Sequence, residues 1–208
     1  MQKYLLIFVL TLGFTLHLHA QDQRFVAAAV VGFNASQIDG DRAAGYEKPG
    51  IVLGIRGGAN LIEKMSLTFD ILYSQRGSKR VPRGEEIFEP YGINTPYVEL
   101  PFQFHYKDWL VAFDDGSEYY RVSIEAGPVV SYLLKPTVTN LVYESEIDNF
   151  NKIDLGITGG VSYYFGEHLG FSARFLKSIT PLYNNQKHKK NFESLRGYNF
   201  NFSLIYSL

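Results

Sequence analysis

The feature that most constrains this chain is a two-residue alternation of apolar and polar side chains, repeated in segment after segment from Arg24 onward. A period of two sends successive side chains to opposite faces of an extended strand, so each segment carries one apolar and one polar face. The clearest case is 97–106, where Val98, Leu100, Phe102, Phe104 and Tyr106 alternate with Tyr97, Glu99, Pro101, Gln103 and His105. Around 67–76, Leu67, Phe69, Ile71 and Tyr73 oppose Ser66, Thr68, Asp70, Ser74 and Arg76. Near the end, Tyr198, Phe200, Phe202, Leu204 and Tyr206 oppose Asn199, Asn201 and Ser203. Segments 25–34, 51–60 and 153–165 follow the rule with small residues on the second face, and 119–133 and 169–180 bring the count to about eight.

Which face meets water decides the fold. A soluble eight-stranded barrel of the lipocalin type turns its apolar face inward and its polar face to solvent. A solvated face is normally rich in lysine, yet almost every lysine here falls in a connection or at a strand end. The polar faces carry Gly, Ser, Thr, Asn, Asp, Glu and Arg instead, groups suited to a narrow enclosed interior. Tyr73, Tyr97, Tyr106, Tyr132, Tyr163, Tyr164, Tyr198 and Tyr206 gather toward strand ends, as interfacial girdles require. The pattern therefore predicts an all-β fold: an eight-stranded antiparallel transmembrane up-and-down β-barrel with a polar, side-chain-filled interior. Connections near 35–49, 77–95, 135–152 and 181–194 are long, those near 61–64 and 166–168 are tight, and 108–118 is intermediate. Long outer loops alternating with short periplasmic turns fit an outer-membrane barrel with both termini in the periplasm. Trp109, Leu110 and Val111 are expected to dip into the interface from their connection.

Strand parity also assigns a side to each charge. With the apolar faces toward lipid, Arg56, Arg76, Arg121 and Arg174 point inward together with Asp70, Glu99, Glu125 and Asp154, and His105 adds a titratable neighbour. Enclosed charges are tolerable only when paired and hydrogen-bonded, and the planar guanidinium fork suits that pairing. Eight strands leave an interior about wide enough for side chains to fill, so the expected result is a closed, salt-bridged core and no open aqueous pore. A catalytic or proton-conducting cluster is the alternative use of the same charges.

Ahead of the strands, residues 1–20 read as a secretory signal. Lys3 precedes an apolar run over 5–16, and Leu18-His19-Ala20 offers a cleavage site before Gln21, leaving 21–208 as the barrel domain. An uncleaved anchor is the alternative, disfavoured by the shortness of the run. The absence of cysteine excludes a disulfide scaffold, a thiolate metal site and a cysteine nucleophile. A net charge of −1 gives no reason to expect nucleic acid as a partner.

Several motifs together resemble the PorT-like, "porin family" outer-membrane β-barrel proteins of Bacteroidetes. They are Gly32-Phe33-Asn34-Ala35-Ser36-Gln37-Ile38-Asp39-Gly40-Asp41 with Gly45-Tyr46 and Lys48-Pro49-Gly50, then Leu72-Tyr73-Ser74-Gln75-Arg76-Gly77-Ser78, Tyr97-Val98-Glu99-Leu100-Pro101 and Ala126-Gly127-Pro128. The resemblance covers essentially the whole mature chain and implies an integral outer-membrane location and an eight-stranded barrel. Most members have no assigned biochemical activity, while a few relatives are associated with type IX secretion. The chain departs from common barrel practice in ending on Leu208 instead of an aromatic.

Three candidate sites stand beside this frame. Asp39-Gly40-Asp41 has paired carboxylates around a glycine, suited to calcium but lacking the other ligands of an EF-hand loop; Asp-Gly is equally a turn signal. Lys187, His188, Lys189 and Lys190 form a basic run in the last outer loop, for which lipopolysaccharide phosphates are natural partners and a solvated loop the plain alternative. A lipid A-modifying enzyme needs a nucleophile, a base and an orienting acid. His105 with an inward serine makes at most a dyad, His168 and His188 lie in connections, and no Gly-x-Ser-x-Gly elbow is present. The sequence thus points to a non-enzymatic barrel with no cofactor or metal, in contact with outer-membrane lipids and open to envelope protein partners. A subunit of a transport or secretion assembly is the other reading.

Overall fold

The computed structural model describes residues 25–41, 45–80, 91–114, 116–139, 147–184 and 194–208. Among them, eight long strands make up the wall: β1 (Phe25–Asp39), β2 (Lys48–Ile62), β3 (Met65–Arg80), β4 (Tyr91–Ala112), β5 (Glu118–Leu133), β7 (Ile153–Tyr164), β8 (Leu169–Ser178) and β9 (Arg196–Ser207). A two-residue strand, β6 (Thr137–Val138), adds to the outer part of β4. Each wall strand pairs antiparallel with its neighbour in sequence, and β1 closes the ring on β9 from Ala28↔Ser207 to Asp39↔Arg196. Closure leaves the eight wall strands without a free edge, the condition for a sheet to sit in lipid.

The burial pattern is inverted relative to a water-soluble protein. Phe33, Ile55, Phe102, Ile124, Val161 and Leu204 are exposed on the outside, while Arg56, Asp70, Gln103, Glu125, Asp154 and Arg174 are buried within. An apolar exterior of this extent is stable only against hydrocarbon. Phe33, Phe171, Phe175, Phe200 and Phe202 form a continuous aromatic strip on the wall around β9. Of the expected girdle tyrosines, Tyr97 instead points inward and is buried, and Tyr164 lines the lumen.

Several strands outrun the segments legible by alternation. β1 continues to Asp39, β3 and β4 remain paired out to Arg80↔Tyr91, and β4 runs to Ala112, so residues 108–112 are strand and not connection. In these extensions the backbone still gains by pairing, but the side chains no longer alternate, being mostly polar over 77–80 and consecutively apolar over 109–112, and the periodic signal disappears. At the end of the barrel where β4 reaches Ala112 the turns are short: Glu63–Lys64, residues 113–117 and residues 165–168. Trp109 lies within β4 with φ +62°, a left-handed value uncommon for a bulky residue.

β4 is also the least regular strand of the wall. Its ladder to β3 runs from Phe69↔Phe102 directly to Leu72↔Glu99, and its ladder to β5 from Pro101↔Val129 to Phe104↔Ala126. Pro101 and Pro128 stand at these gaps, and neither has an N–H to contribute.

At the loop end a second, apolar core closes the lumen. Ile38, Ile93, Tyr97, Leu133, Phe150, Leu182, Tyr183 and Leu195 form one buried cluster. The connections that supply it are pinned by a Tyr183↔Leu195 bridge and by Asn151, whose N–H donates to Leu182 O at 2.8 Å and whose side chain donates to Pro181 O at 2.7 Å.

Candidate functional site

The interior charges form two clusters stacked along the barrel axis. In the inner one, register alone brings two pairs together: Arg56 lies opposite Asp70 across β2–β3, and His105 opposite Glu125 across β4–β5. Arg56 donates from Nε and Nη2 to the two Asp70 oxygens at 2.7 and 2.9 Å, the bidentate geometry for which a guanidinium is shaped. Arg174 reaches across the lumen from β8, donating from Nη1 to Asp70 Oδ2 at 3.2 Å and lying 3.0 Å through Nε from Glu125 Oε1. Gln103 Oε1 accepts from both guanidinium groups at 3.2 and 3.1 Å, and Ser172 Oγ donates to Glu125 Oε1 at 2.6 Å. His105 closes this cluster toward the turn end. Its Nδ1 lies 3.2 Å from Glu125 Oε2 and 3.3 Å from Ser123 Oγ, and its Nε2 lies 2.8 Å from Thr68 Oγ1.

The outer cluster centres on Arg76. It donates to Glu99 Oε1 at 2.6 Å, Asp154 Oδ2 at 2.9 Å and Ser131 Oγ at 3.0 Å, with its guanidinium 4.7 Å from the centre of the Tyr97 ring. Ser178 and Thr180 donate to the two Asp154 oxygens at 2.7 and 3.1 Å. An amide ladder runs beside it: Asn199 and Asn201 both donate to Asn34 Oδ1 at 3.1 Å, and Asn34 donates to Ser74 Oγ at 2.7 Å. Gln103, Ser172 and Asn34 were not singled out from sequence, although each shares the inward parity of its charged neighbours.

Arg121 departs from the expected arrangement. Among the described residues no carboxylate pairs with it; its Nη2 donates to Tyr119 Oη at 3.3 Å and its guanidinium stacks 5.1 Å from the Trp109 ring centre. The flanking pairs Asp108↔Val122 and Leu110↔Tyr120 set it near the end of β4, beyond the last interior carboxylate. The interior network therefore contains three arginines with four carboxylates, not four with four. The Trp109 side chain packs on this arginine, and Lys64 in the adjacent turn donates to Asp108 Oδ1 at 3.1 Å, which raises the lysine above its ordinary value.

Beyond His105 the filling stops. A cavity of about 960 Å³ opens at the turn end, lined by Arg56, Ser66, Thr68, His105, Lys107, Ser123 and Tyr164 among others. Hydroxyl groups meet a histidine here, but the arrangement is not that of a triad. Glu125 Oε2 makes no hydrogen bond of good geometry, and the carboxylate is engaged by Arg174 and Ser172 on its other oxygen. His168 is at the surface, its Nδ1 3.0 Å from Ser207 O. Asp39 pairs in register with Arg196 and Asp41 is buried; among the described residues no group of three or more His, Cys, Asp or Glu is placed to hold a metal ion. Residues 1–20 and the basic run Lys187, His188, Lys189 and Lys190 lie outside the described residues.

Comparison with known proteins agrees with this architecture. A family model described as "Outer membrane protein beta-barrel domain" matches residues 19–184. Among solved structures, Ail, the attachment invasion locus protein of Yersinia pestis, aligns with a TM-score of 0.50 and 9% identity over 89% of this chain and 99% of that chain. Neisserial surface protein A aligns with a TM-score of 0.45 and 12% identity over 90% of this chain and 99% of that chain. At such identities the likeness to Ail is one of fold alone. No curated protein matches the sequence.

Proposed function

The chain belongs to the outer membrane protein beta-barrel domain family, and from that premise we propose that it is a non-enzymatic barrel whose outer loops serve binding or envelope structure. The observation that carries this reading is the obstruction of the lumen: ion clusters fill its middle and an apolar cap covers its loop end. A barrel blocked in this way acts through its surfaces. Residues 1–20 are its cleaved signal, and Lys187, His188, Lys189 and Lys190 engage lipopolysaccharide phosphates at the cell surface. The motifs around Gly32, Leu72, Tyr97 and Ala126 support a place among the PorT-like barrels of Bacteroidetes.

Single-channel recording of the purified protein in planar bilayers tests the blocked lumen, with no stable conductance of porin size expected and a stable large pore overturning it. Replacing Lys187, Lys189 and Lys190 by alanine tests the loop, through loss of retention on lipopolysaccharide-containing vesicles.

A second reading, a subunit of a transport or secretion assembly, draws on the 960 Å³ cavity facing the periplasm. Photo-crosslinking from Glu118 and Glu167 at that end, compared with crosslinking from the loop end, separates the two. Stoichiometric adducts confined to the periplasmic end favour assembly.

A further inference from the structure

Among the described residues several interior polar atoms have no hydrogen-bond partner, Gln103 Nε2, Glu125 Oε2 and Ser162 Oγ among them. Two more belong to side chains that border one gap between the two ion clusters. A cavity of about 20 Å³ lies there, bordered by Leu72, Glu99, Val129, Thr158, Arg174 and Asn199 among others. Two of its bordering side chains each have a buried atom with no hydrogen-bond partner among the described residues: Arg174 Nη2 and Asn199 Oδ1. Both residues are almost fully enclosed, 4% and 2% exposed. The remaining nitrogens of each are used, Arg174 on Asp70, Gln103, Ser172 and Glu125, and Asn199 on Asn34. An enclosed donor and an enclosed acceptor left unmatched each lose the hydrogen bonds that water gave them, so two such side chains on the border of one cavity call for an occupant.

The chemistry of the border selects that occupant. A metal cation needs acceptors on all sides and would face the Arg174 guanidinium, while an anion would face Glu99. A molecule that both donates and accepts satisfies the whole border, and a water requires only roughly 10–15 Å³ and two to four polar partners. We propose that this cavity binds one structural water, which accepts from Arg174 Nη2 and donates to Asn199 Oδ1 and to the Glu99 carboxylate. It joins the clusters into one network. Arg76 alone faces both Glu99 and Asp154, whereas Arg56 and Arg174 face Asp70 and Glu125 as two against two. Through the water, Arg174 shares its charge with the cluster that has a carboxylate in excess.

The test uses the full barrel in lipid nanodiscs with ¹⁵N-labelled asparagine. A long-lived water cross-peak to the Asn199 side-chain amide is expected, and it should be lost in Val129→Ile, which adds one methylene at the cavity. An absent cross-peak in the native protein, or one that persists unchanged in Val129→Ile, overturns the site. Should that variant not fold, a high-resolution crystal structure of the native barrel decides. Density within hydrogen-bond distance of both Arg174 Nη2 and Asn199 Oδ1 supports the water, and density at neither refutes it.

Discussion

Asp70 is held by two arginines at once: Arg56 grips both of its oxygens from the neighbouring strand, and Arg174 reaches one of them from across the lumen. Removing this single carboxylate therefore leaves two enclosed guanidinium groups facing Glu125 alone. Asp70→Ala is expected to lower stability by about 3–5 kcal/mol, the usual cost of breaking a buried pair by removing one partner. Urea titration of the folded barrel, read by heat-modifiable gel migration, measures it. A variant as stable as the parent would show that the lumen readily rehydrates its charges.

Arg121 gives the opposite expectation. Its contacts are an aromatic ring and a phenol hydroxyl at the rim of the lumen, with no carboxylate among the described residues to abandon. Arg121→Ala should cost no more than about 1 kcal/mol by the same titration, as for an exposed cation–π contact. A loss on the scale of Asp70→Ala would return this residue to the interior network.

Two glycines provide a matched pair. A methyl group at Gly127 would collide with the backbone carbonyl of Phe102, at the gap where β5 approaches β4, whereas one at Gly57 meets nothing within 4 Å. Gly127→Ala should destabilise by roughly 2 kcal/mol or more, as expected for a glycine required by close backbone approach. Gly57→Ala on the outer face should be neutral or stabilise by up to about 1 kcal/mol. Equal effects of the two would refute the close approach.

Leu195 is 1% exposed within the apolar cap. Its truncation to alanine should cost about 2–5 kcal/mol if the cap is packed like a protein core. Bilayer recording of the same variant should still show no large conductance, because the ion clusters beneath remain in place.

The fold was largely legible because lipid enforces an apolar outer face along the spanning part of each strand, although Val30, Val52 and Leu72 place apolar side chains on the inner face as well. Phe102, Phe104 and Tyr106 face outward and Gln103 and His105 inward, as parity demands. Pairing across neighbouring strands is close to legible from the same signal, since the two-residue turn at Glu63–Lys64 brings Arg56 and Asp70 together once the one-residue bulge between Asn60 and Ile62 has shifted the register. Contacts across the lumen do not: nothing local relates Arg174 on β8 to Asp70 on β3. Arg121 misled because parity gives a side but no depth, and depth decides whether a carboxylate is within reach. The cap was invisible for a related reason. Ile38, Phe150 and Tyr183 sit in stretches read as polar loops, and their apolar character has meaning only once the connections fold together.

That cap has a kinetic consequence. Its members come from the first strand, the middle strands and the segment leading into the last, so it cannot form on any hairpin alone. Ile38 on β1 and Leu195 just before β9 flank the seam where the ring closes. The seam is thus latched at its outer end by side chains that meet only when the last strand has docked. Closing the wall and burying the cap become one event, and a barrel lacking its final strand has neither a sealed edge nor a lid to hold it.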